Sequence, residues 1–407
     1  MDRAELVRLL GAHPVVAEPR DVVVEERDPA RFMAAFTDAV AAGGNVFIAD
    51  PAWGQIERAQ FNALSARASN STMEGVASGF GWLCLPTGGS SGAIKLARHD
   101  EETLSSAVNG FCEHFGVRKI NAVGLLPLNH VSGLMAWMRT VLTGGEYRAC
   151  DWKVLAAGGR PALPVDAGDW FLSLVPTQLQ RMLADPEAVD WLRGFRAVFV
   201  GGGPSWPELI EAGARAQLPL AFSYGMTETA AMVAALRPSE FLEGRRGSGT
   251  PLPHARITLD GESGVVIEAG SLFRGYWPEF RAAGPWSADD TGVFDEHGSI
   301  HLLGRRDALI ITGGKKVDPF EIEAVLRATG EFADIVVVGV PDREWGEVVV
   351  ACYPPVGTGP YFDRVSREIG ARLAAYKHPK RYIAVPVWPR NAQGKVNRAE
   401  LIRLALG

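Results

Sequence analysis

Residues 85–95 have the composition of a phosphate-binding loop. They follow a short apolar run, residues 81–85, that predicts a strand, and we expect Pro86 to end the pairing of that strand. The next residues supply hydroxyl groups, glycine backbone and one cation. They are Thr87, Gly88, Gly89, Ser90, Ser91, Gly92 and Lys95. Because N–H groups and hydroxyls of such a loop can turn inward together, it suits a polyphosphate. A plain surface turn is the alternative.

Two other sequence motifs resemble this segment. A Walker A loop ends in Gly-Lys-Ser/Thr, whereas Gly92 is followed here by Ala93 and Ile94, so that motif is excluded. Residues 88–92 do fit G-x-S-x-G, the nucleophile elbow of α/β-hydrolases, which turns directly into a helix. Residues 93–98 instead alternate apolar and basic side chains as a strand does. A serine hydrolase using Ser90 is therefore the less favoured alternative.

Glycine-rich or polar segments follow three further predicted strands. The strands are residues 122–126, 197–200 and 220–224, and the segments after them are residues 127–134, 201–204 and 225–229. Since open α/β sheets bind ligands at the carboxyl ends of their strands, we expect these segments to gather along one edge. A lone histidine is more often structural than catalytic, but this position favours a functional role for His130.

The pattern around these segments predicts an α/β protein with a large N-terminal domain and a small C-terminal domain. Predicted helices cover residues 29–42, 100–116 with Asp100 as N-cap, 134–142 and 176–183, and further strands cover residues 45–49 and 170–175. Short strands with glycine turns in residues 256–301 indicate a β-rich subdomain. Helices at 319–328 and 363–373 and a strand at 335–338 then predict a small α+β domain.

Composition excludes several classes of protein. The 407 residues suggest two or three domains at ~150 residues each. A net charge of −6 argues against a general binder of nucleic acid or membrane surfaces. The four cysteines contain no C-x-x-C pair, which disfavours a zinc site or a disulfide framework and fits a reducing cytosol. No signal h-region and no apolar run of ~18 residues is found, so we expect a cytoplasmic protein without a membrane span.

Four separated motifs resemble those of the adenylate-forming (acyl-CoA synthetase) superfamily. They are the loop 87–95, the Tyr-Gly-x-Thr-Glu pattern in residues 223–228, the ribose-binding and hinge region 286–307, and the Gly-Lys segment 391–397. Their order and spacing match that superfamily over residues 80 to 400. In one departure the usual Thr-Gly-Asp is Ala288-Asp289-Asp290, which keeps the acid and leaves the local geometry open.

The resemblance implies binding sites for ATP and Mg²⁺. Thr87, Ser90, Ser91 and Lys95 would hold the β- and γ-phosphates. Thr227 would bind a phosphate oxygen, and Glu228 would hold Mg²⁺, a hard cation that accepts carboxylate oxygen. The remaining nucleotide contacts would come from Gly202, Gly203 and Pro204 as a flat wall beside adenine, Tyr224 stacked on it with Gly225 and Met226, Asp290 on the ribose hydroxyls, and Arg305 on the ribose or phosphates.

The resemblance also implies a division of labour between two domains. Residues 1–304 would form the large domain, residues 305–307 the hinge with Asp307 as its pivot, and residues 308–407 a small mobile domain. Lys395 would stabilise the charge that develops as a carboxylate attacks the α-phosphate. Turning at the hinge would then replace Lys395 by Gly313 and Gly314, which could help to receive CoA.

Within the superfamily, residues 129–134 and 173–179 are most similar to o-succinylbenzoate–CoA ligases. This implies a small carboxylic acid, ATP and CoA as partners, and it leaves a homodimer open. His130 and Ser132 would line the acyl pocket, and Ser223 is a further polar group for the second carboxylate of the acid. None of these three is a permanent cation, so we expect hydrogen bonds and ordered water there. The alternatives are another aryl- or acyl-CoA ligase, or an inactive adenylate-binding protein, against which Glu228, Asp290 and Lys395 argue.

Overall fold

The computed structural model describes most of the chain, namely residues 1–13, 18–70, 81–88, 94–163, 170–203, 205–357, 359–390 and 396–406. Its helices are α1 (Arg3–Leu9), α2 (Pro29–Ala41), α3 (Gln55–Asn70), α4 (Glu101–Phe115), α5 (Val131–Thr143), α6 (Trp152–Ala156), α7 (Pro176–Leu183), α8 (Pro186–Arg193), α9 (Pro207–Arg215), α10 (Pro238–Leu242), α11 (Pro319–Ala328), α12 (Phe362–Arg372) and α13 (Arg398–Leu406). The predicted helices are all confirmed to within a few residues.

Helix α4 shows why these predictions hold. The Asp100 side chain accepts a hydrogen bond from the backbone N–H of Thr103, and the Thr103 hydroxyl in turn accepts from the N–H of Asp100. This capping box satisfies two of the backbone groups that a helix leaves unpaired at its start. Leu104 and Phe111, which share the apolar face with Thr103, are fully buried, and Gly116 ends the helix in a left-handed conformation.

The first sheet joins β1 (Arg20–Val24), β2 (Gly43–Ile48), β3 (Leu83–Gly88) and β4 (Ile94–His99) in that spatial order. The prediction that Pro86 ends the pairing of its strand is wrong. Pro86 pairs with Leu96, and the antiparallel β3–β4 ladder continues to Gly88. Because β3 pairs with β2 only as far as Cys84, it has an open side beyond that residue, where proline without an N–H is tolerated.

The β4 strand also decides the hydrolase alternative. A nucleophile elbow needs a helix directly after Gly92, whereas Ile94–His99 is a strand paired to β3. The serine-hydrolase interpretation of Ser90 is therefore wrong, and the alternation of apolar and basic residues did predict the strand.

The central sheet has the spatial order β11-β10-β9-β8-β7-β5-β6 in the described residues. Its strands are β5 (Asn121–Gly124), β6 (Tyr147–Ala149), β7 (Trp170–Leu174), β8 (Ala197–Val200), β9 (Leu220–Met226), β10 (Ala231–Ala235) and β11 (Thr250–Pro251). Strands β5 to β9 are parallel to one another, and β10 is antiparallel to both β9 and β11. The segments after β5, β8 and β9 therefore gather at one edge, as expected.

Both faces of the central sheet are covered, which explains its continuous apolar strands. Successive residues of a strand point to opposite faces. Leu172 and Val198 pack with helices α7 to α9, whereas Phe171 and Phe199 pack with Phe111 of α4 on the other face. The helices thus fix the sheet whose edge carries the predicted ligand-binding segments.

Two further sheets follow. The β-rich subdomain is confirmed as an antiparallel sheet of β12 (Ala255–Leu259), β13 (Gly264–Ala269), β14 (Trp286–Phe294) and β15 (Ile300–Arg305). The small α+β unit contains β16 (Ile310–Thr312), β17 (Lys315–Val317), β18 (Val336–Asp342), β19 (Gly346–Tyr353) and β20 (Arg381–Ala384), with an apolar core on each side of β18 and β19. The α/β fold class is confirmed. The hinge and the mobility of the small unit stay predictions.

Two other expectations concern membranes and cysteines. Across the described ranges, none of the helices combines the length and apolarity that crossing a bilayer requires. Cys84, Cys112, Cys150 and Cys352 all carry free thiols. Burial raises the pKa of the Cys352 thiol to about 11, so this thiol is unreactive at neutral pH.

Buried histidines should make the protein sensitive to mild acid. Burial lowers the pKa of His99 and of His114 to about 4 each, whereas an unfolded histidine titrates near 6.5. Below about pH 6.5 the unfolded chain binds protons that the native protein does not, so the free energy of unfolding falls as the pH drops from 6.5 towards 4. Each of these histidines contributes up to about 3 kcal/mol to that loss.

Urea denaturation at several pH values measures this effect. We expect the midpoint concentration of urea to be constant from pH 8 to 7 and to decline already between pH 6.5 and 5, above the range in which ordinary carboxylates titrate. A midpoint that stays constant down to pH 5 would contradict the assignment of neutral buried histidines.

Candidate active site

The turn that carries Thr227 and Glu228 is strained. It is a 3-10 turn, Thr227–Thr229, between β9 and β10, and Ala230 and Ala231 after it have φ of 49° and 79°. Left-handed backbone at residues other than glycine costs on the order of 1–3 kcal/mol each and persists only where its surroundings impose it. Any Cβ at Gly225 would lie 1.9 Å from the carbonyl oxygen of Ala231, so this position of the motif requires glycine.

Four groups around the turn hold it in place. The Thr229 hydroxyl accepts from the N–H of Met226 at 2.9 Å and lies 2.6 Å from the carbonyl oxygen of Ala231. The N–H of Phe273 donates to the Glu228 carbonyl at 2.8 Å, and Nε2 of His99 lies 2.7 Å from the Thr227 carbonyl oxygen. The turn therefore depends on chain segments far away in the sequence.

Glu228 is connected to the end of the phosphate-loop hairpin through Tyr276. The Glu228 carboxylate is buried, and the Tyr276 hydroxyl donates to its Oε1 at 2.8 Å. Lys95 Nζ lies 5.0 Å from the centre of the Tyr276 ring, a cation–π distance, and Lys95 is the cross-strand neighbour of Thr87. Burial, and then the negative charge of Glu228, raise the pKa of Tyr276, so its hydroxyl stays a donor.

The carboxylate of Glu228 fits a hard cation. One oxygen, Oε1, is oriented by Tyr276, and in the described part of the chain no group donates to Oε2. A carboxylate with one oriented and one available oxygen beside a phosphate-binding loop is a usual way to hold Mg²⁺ together with substrate phosphates. The chemistry of Glu228 therefore fits the predicted Mg²⁺ ligand, and that role stays a prediction.

The predicted adenine and ribose residues are brought into direct contact. The hydroxyl of the buried Tyr224 donates to Asp290 Oδ2 at 2.8 Å. Burial, and then the charge of Asp290, raise the pKa of Tyr224. Arg305 lies opposite Asp290 in the β14–β15 ladder and donates to Asp289 Oδ2 at 3.2 Å. Gly202 and Gly203 are exposed at the end of β8, next to β9, which carries Tyr224.

The departure at Ala288 has a structural reason. Ala288 belongs to strand β14 and packs in the core of the β-rich subdomain together with Tyr224. Ala288 is buried, Asp289 is exposed and Asp290 is partly exposed. Asp290, the acid predicted for the ribose, therefore lies on a strand next to Tyr224, whose hydroxyl donates to it.

Residues predicted for the acyl pocket lie on α5 and β9. His130 is the N-cap residue of α5, and its Nε2 is 3.5 Å from Oδ2 of Asp50, a buried carboxylate after β2. Ser132 lies in the first turn of the same helix and Ser223 on β9, both partly buried. The sequence did not reveal Asp50, since an acid after a strand carries no motif.

Arg139 is a second residue that sequence reasoning missed. Its guanidinium is buried on α5 and stacks 4.4 Å from the centre of the Phe111 ring. It borders a small cavity that is also lined by Ala136, Phe171, Ser173 and Phe199, among others. Among the described residues no acid pairs with it, and its Nε has no acceptor. Burial lowers the pKa of Arg139 to about 10, so it stays charged at neutral pH.

The other predicted residues lie in the small unit, in the predicted hinge or outside the described residues. Gly313 and Gly314 form the turn between β16 and β17, both with positive φ, and Gly313 packs on Trp345. The backbone at Asp307 is in a 3-10 turn whose Arg306 binds both carboxylate oxygens of Asp260 at 2.5 and 2.6 Å. The calls for Gly89, Ser90, Ser91, Gly92, Pro204 and Lys395 lie outside the described residues.

Comparison with known proteins shows the family of this chain. Residues 36–277 match the family model for AMP-binding enzymes, and residues 321–395 match the model for the C-terminal domain of AMP-binding enzymes. The chain is 35% identical over 302 residues to a 2-succinylbenzoate–CoA ligase of Geobacillus kaustophilus, covering 69% of this chain and 60% of that protein. It is 30% identical over 343 residues to an indoleacetate–CoA ligase of Aromatoleum aromaticum, covering 79% and 67%. The chain thus spans about 60% of the length of the first of these relatives.

Solved structures show the same fold. An o-succinylbenzoate CoA synthetase (MenE) from Bacillus subtilis in complex with an acyl-adenylate intermediate aligns with a TM-score of 0.77 at 21% identity, covering 98% of this chain and 91% of that one. ATP-bound MatB from Rhodopseudomonas palustris aligns with a TM-score of 0.77 at 22% identity, covering 99% and 92%. Both matches cover the large part and the small part of the chain.

Tyr276→Phe tests the support of Glu228. The change removes only the hydroxyl that donates to the carboxylate, a charged hydrogen bond worth roughly 1.5–3 kcal/mol. We expect the Mg²⁺ concentration for half-maximal ATP–pyrophosphate exchange to rise about tenfold or more. Tyr147→Phe, at a partly buried tyrosine of β6, is the matched control and should leave that concentration unchanged. Equal Mg²⁺ dependence of Tyr276→Phe and the wild type would show that the hydroxyl does not orient the carboxylate.

Proposed function

Since this chain belongs to the family of AMP-binding enzymes, we propose that it is an ATP-dependent acid–thiol ligase that converts a carboxylic acid to its CoA thioester through an acyl-adenylate. The observation that carries the proposal is the arrangement at the edge of the central sheet. The Thr227–Thr229 turn, the pair Tyr224–Asp290 and the cation Lys95 converge there from three sheets. Each group has the chemistry that one part of ATP requires.

The reaction has two steps. In the first, a carboxylate oxygen of the acid attacks the α-phosphorus of ATP, the bond to the β-phosphate oxygen breaks, and pyrophosphate leaves. In the second, the CoA thiol loses its proton, its sulfur attacks the acyl carbon, and AMP leaves with the electron pair of the broken C–O bond. Both reactants of the first step are anions, so the protein must hold them in line and neutralise charge.

The residues of this chain divide these tasks. Asp290 accepts from the ribose hydroxyls, and Tyr224 holds that acid while it borders the adenine. The hydroxyl of Thr227 binds a phosphate oxygen, and Glu228 would hold Mg²⁺, which supplies charge neutralisation to the phosphates when it is bound. Lys395 brings an ammonium to the α-phosphate in the first step only. The alternation of the small domain about residues 305–307, with residues 313–316 receiving CoA, belongs to the same proposal.

We propose 2-succinylbenzoate as the acid, because the chain is similar to proteins named 2-succinylbenzoate–CoA ligase and carries a candidate partner for the second carboxylate of that acid. That acid reacts at the succinyl carboxylate and must place the ring carboxylate in an apolar pocket, where an unpaired charge is very costly. We propose that this partner is Arg139, a buried cation for which the described residues provide no acid, on the helix that begins after His130. Hydrogen bonds and ordered water at His130, Ser132 and Ser223 stay the alternative prediction for the same carboxylate. An indoleacetate-type acid has no second carboxylate and would leave Arg139 unpaired.

The partners and the cellular compartment follow from the same proposal. The substrates are small molecules, and nothing in the site requires nucleic acid. Free thiols on all four cysteines suit a reducing compartment, so we propose that the enzyme works in the cytoplasm.

Arg139→Gln tests the choice of acid. Losing a charged hydrogen-bond partner costs roughly 1.5–3 kcal/mol, so kcat/KM for 2-succinylbenzoate should fall about ten- to a hundredfold. The matched substrate is 3-benzoylpropionate, which lacks only the ring carboxylate and should react equally slowly with both proteins. Arg148→Gln, at a partly exposed arginine, is the control variant. An equal loss for both acids would place Arg139 outside the acid pocket and favour another acyl-CoA ligase.

Lys395→Ala tests the two-step division. Removing one preorganised group that stabilises developing charge should slow acyl-adenylate formation by roughly 10²-fold or more. Formation of the CoA thioester from supplied acyl-adenylate should be largely preserved. Both rates can be measured on one preparation, by pyrophosphate release and by thioester absorbance. Equal losses in the two steps would contradict a role of Lys395 in the first step alone.

A further inference from the structure

Strand β4 carries a buried histidine that touches the site without belonging to any of the recognised motifs. His99 is the last residue of β4 and is completely buried. Its Nε2 lies 2.7 Å from the carbonyl oxygen of Thr227, which is 128 residues away in the sequence. A carbonyl oxygen can only accept, so Nε2 carries the proton and donates. Nδ1 faces the hydroxyl of Thr103 at 3.1 Å.

The same strand reaches the turn at a second point. Residues 95 and 99 lie on one face of β4, because side chains alternate along a strand. One face of β4 is therefore connected to both residues of the Thr-Glu pair. His99 bonds to the backbone carbonyl of Thr227, and Lys95 lies over the ring of Tyr276, whose hydroxyl donates to Glu228.

We propose that His99 is a positioning residue for adenylation. By holding the Thr227 carbonyl, it sets the hydroxyl of Thr227 and the carboxylate of Glu228 relative to strand β4 and its Lys95. The two left-handed alanines after the turn mean that this backbone shape is imposed by its surroundings. His99 is the side chain from another element that bonds to the first residue of the turn.

The rigid framework behind His99 supports this role. Asp100, the next residue, caps α4 and also binds Arg274, with Nε to Oδ2 at 2.6 Å. The N–H of Arg274 in turn donates to the carbonyl of Arg98. His99 is thus held between a helix start and the segment that carries Tyr276, and it can fix the position of the turn.

This inference rests on the proposed function, and its test separates the two. Wild-type protein is first assayed for ATP–pyrophosphate exchange with 2-succinylbenzoate and with other carboxylic acids. No exchange with any acid contradicts the proposed function. If exchange occurs, the variants below test His99 alone, and ATP binding by isothermal titration calorimetry gives a second readout that does not depend on turnover.

His99→Leu removes the donor and should weaken ATP·Mg²⁺ binding at least fivefold and slow exchange about ten- to a hundredfold. His99→Gln keeps an N–H at nearly the position of Nε2 and should stay within about threefold of the wild type. The control is His114→Leu. That histidine is equally buried and its Nε2 also bonds to a backbone carbonyl, of Ala235 at 3.0 Å, but it lies outside the site. The His114→Leu protein should be less stable than the wild type but should bind ATP with the same affinity.

Two outcomes would overturn the proposal. One is a folded His99→Leu protein that binds ATP as the wild type does. The other applies if His99→Leu does not fold, and it compares His99→Asn with His99→Gln. The side-chain N–H of asparagine reaches only the position of Nδ1 and cannot replace the donor to Thr227. Equal ATP affinities of these two variants would show that the bond to Thr227 does not position the site.

Discussion

The site depends on a backbone turn that is strained on its own. Thr227 and Glu228, the residues proposed for a phosphate and a cation, lie where the chain reverses sharply between β9 and β10, through two alanines in left-handed conformation. Such a shape exists only where other contacts outweigh its cost. Here they come from the phosphate-loop hairpin through His99 and from the segment before β14 through Phe273. The turn is the place where three sheets meet.

This dependence explains the distribution of polar groups. Glu228, Tyr224 and His99 are all buried, and each makes a hydrogen bond to a residue from a different part of the chain. A buried polar group without a partner is costly, so these bonds join the central sheet, the first sheet and the β-rich subdomain into one arrangement. Arg139 is the exception, since it is buried and charged without an acid among the described residues. Its guanidinium packs instead on the ring of Phe111, at 4.4 Å from the ring centre.

The small unit buries its own apolar surface, with an apolar core on both sides of its sheet. Among the described residues, Arg306 within the predicted hinge binds Asp260, and Arg327 lies 5.5 Å from the centre of the Trp206 ring across the two parts. A unit with a core of its own can change orientation without unfolding, as the proposed two-step reaction requires.

Local sequence rules were enough to predict many of the helices and strands. The limits of α4 and α11 followed from caps and from the spacing of apolar residues, and the strand at residues 94–99 followed from alternation. The identity of the Thr-Glu turn and of Asp290 followed from motifs whose residue types are dictated by ATP. Pro86 was misread because the rule for proline depends on whether both sides of a strand are paired, and pairing with β2 is not a local property.

The sequence by itself therefore determined the fold class, many of the helices and strands and the family, and it named candidate residues for the nucleotide. Only the tertiary structure decided which groups support them. Tyr276, His99, Asp50 and Arg139 carry no motif, because their roles consist of one contact each with a residue far along the chain. Such contacts depend on how sheets pack against one another, and packing distances cannot be read from spacing in the sequence.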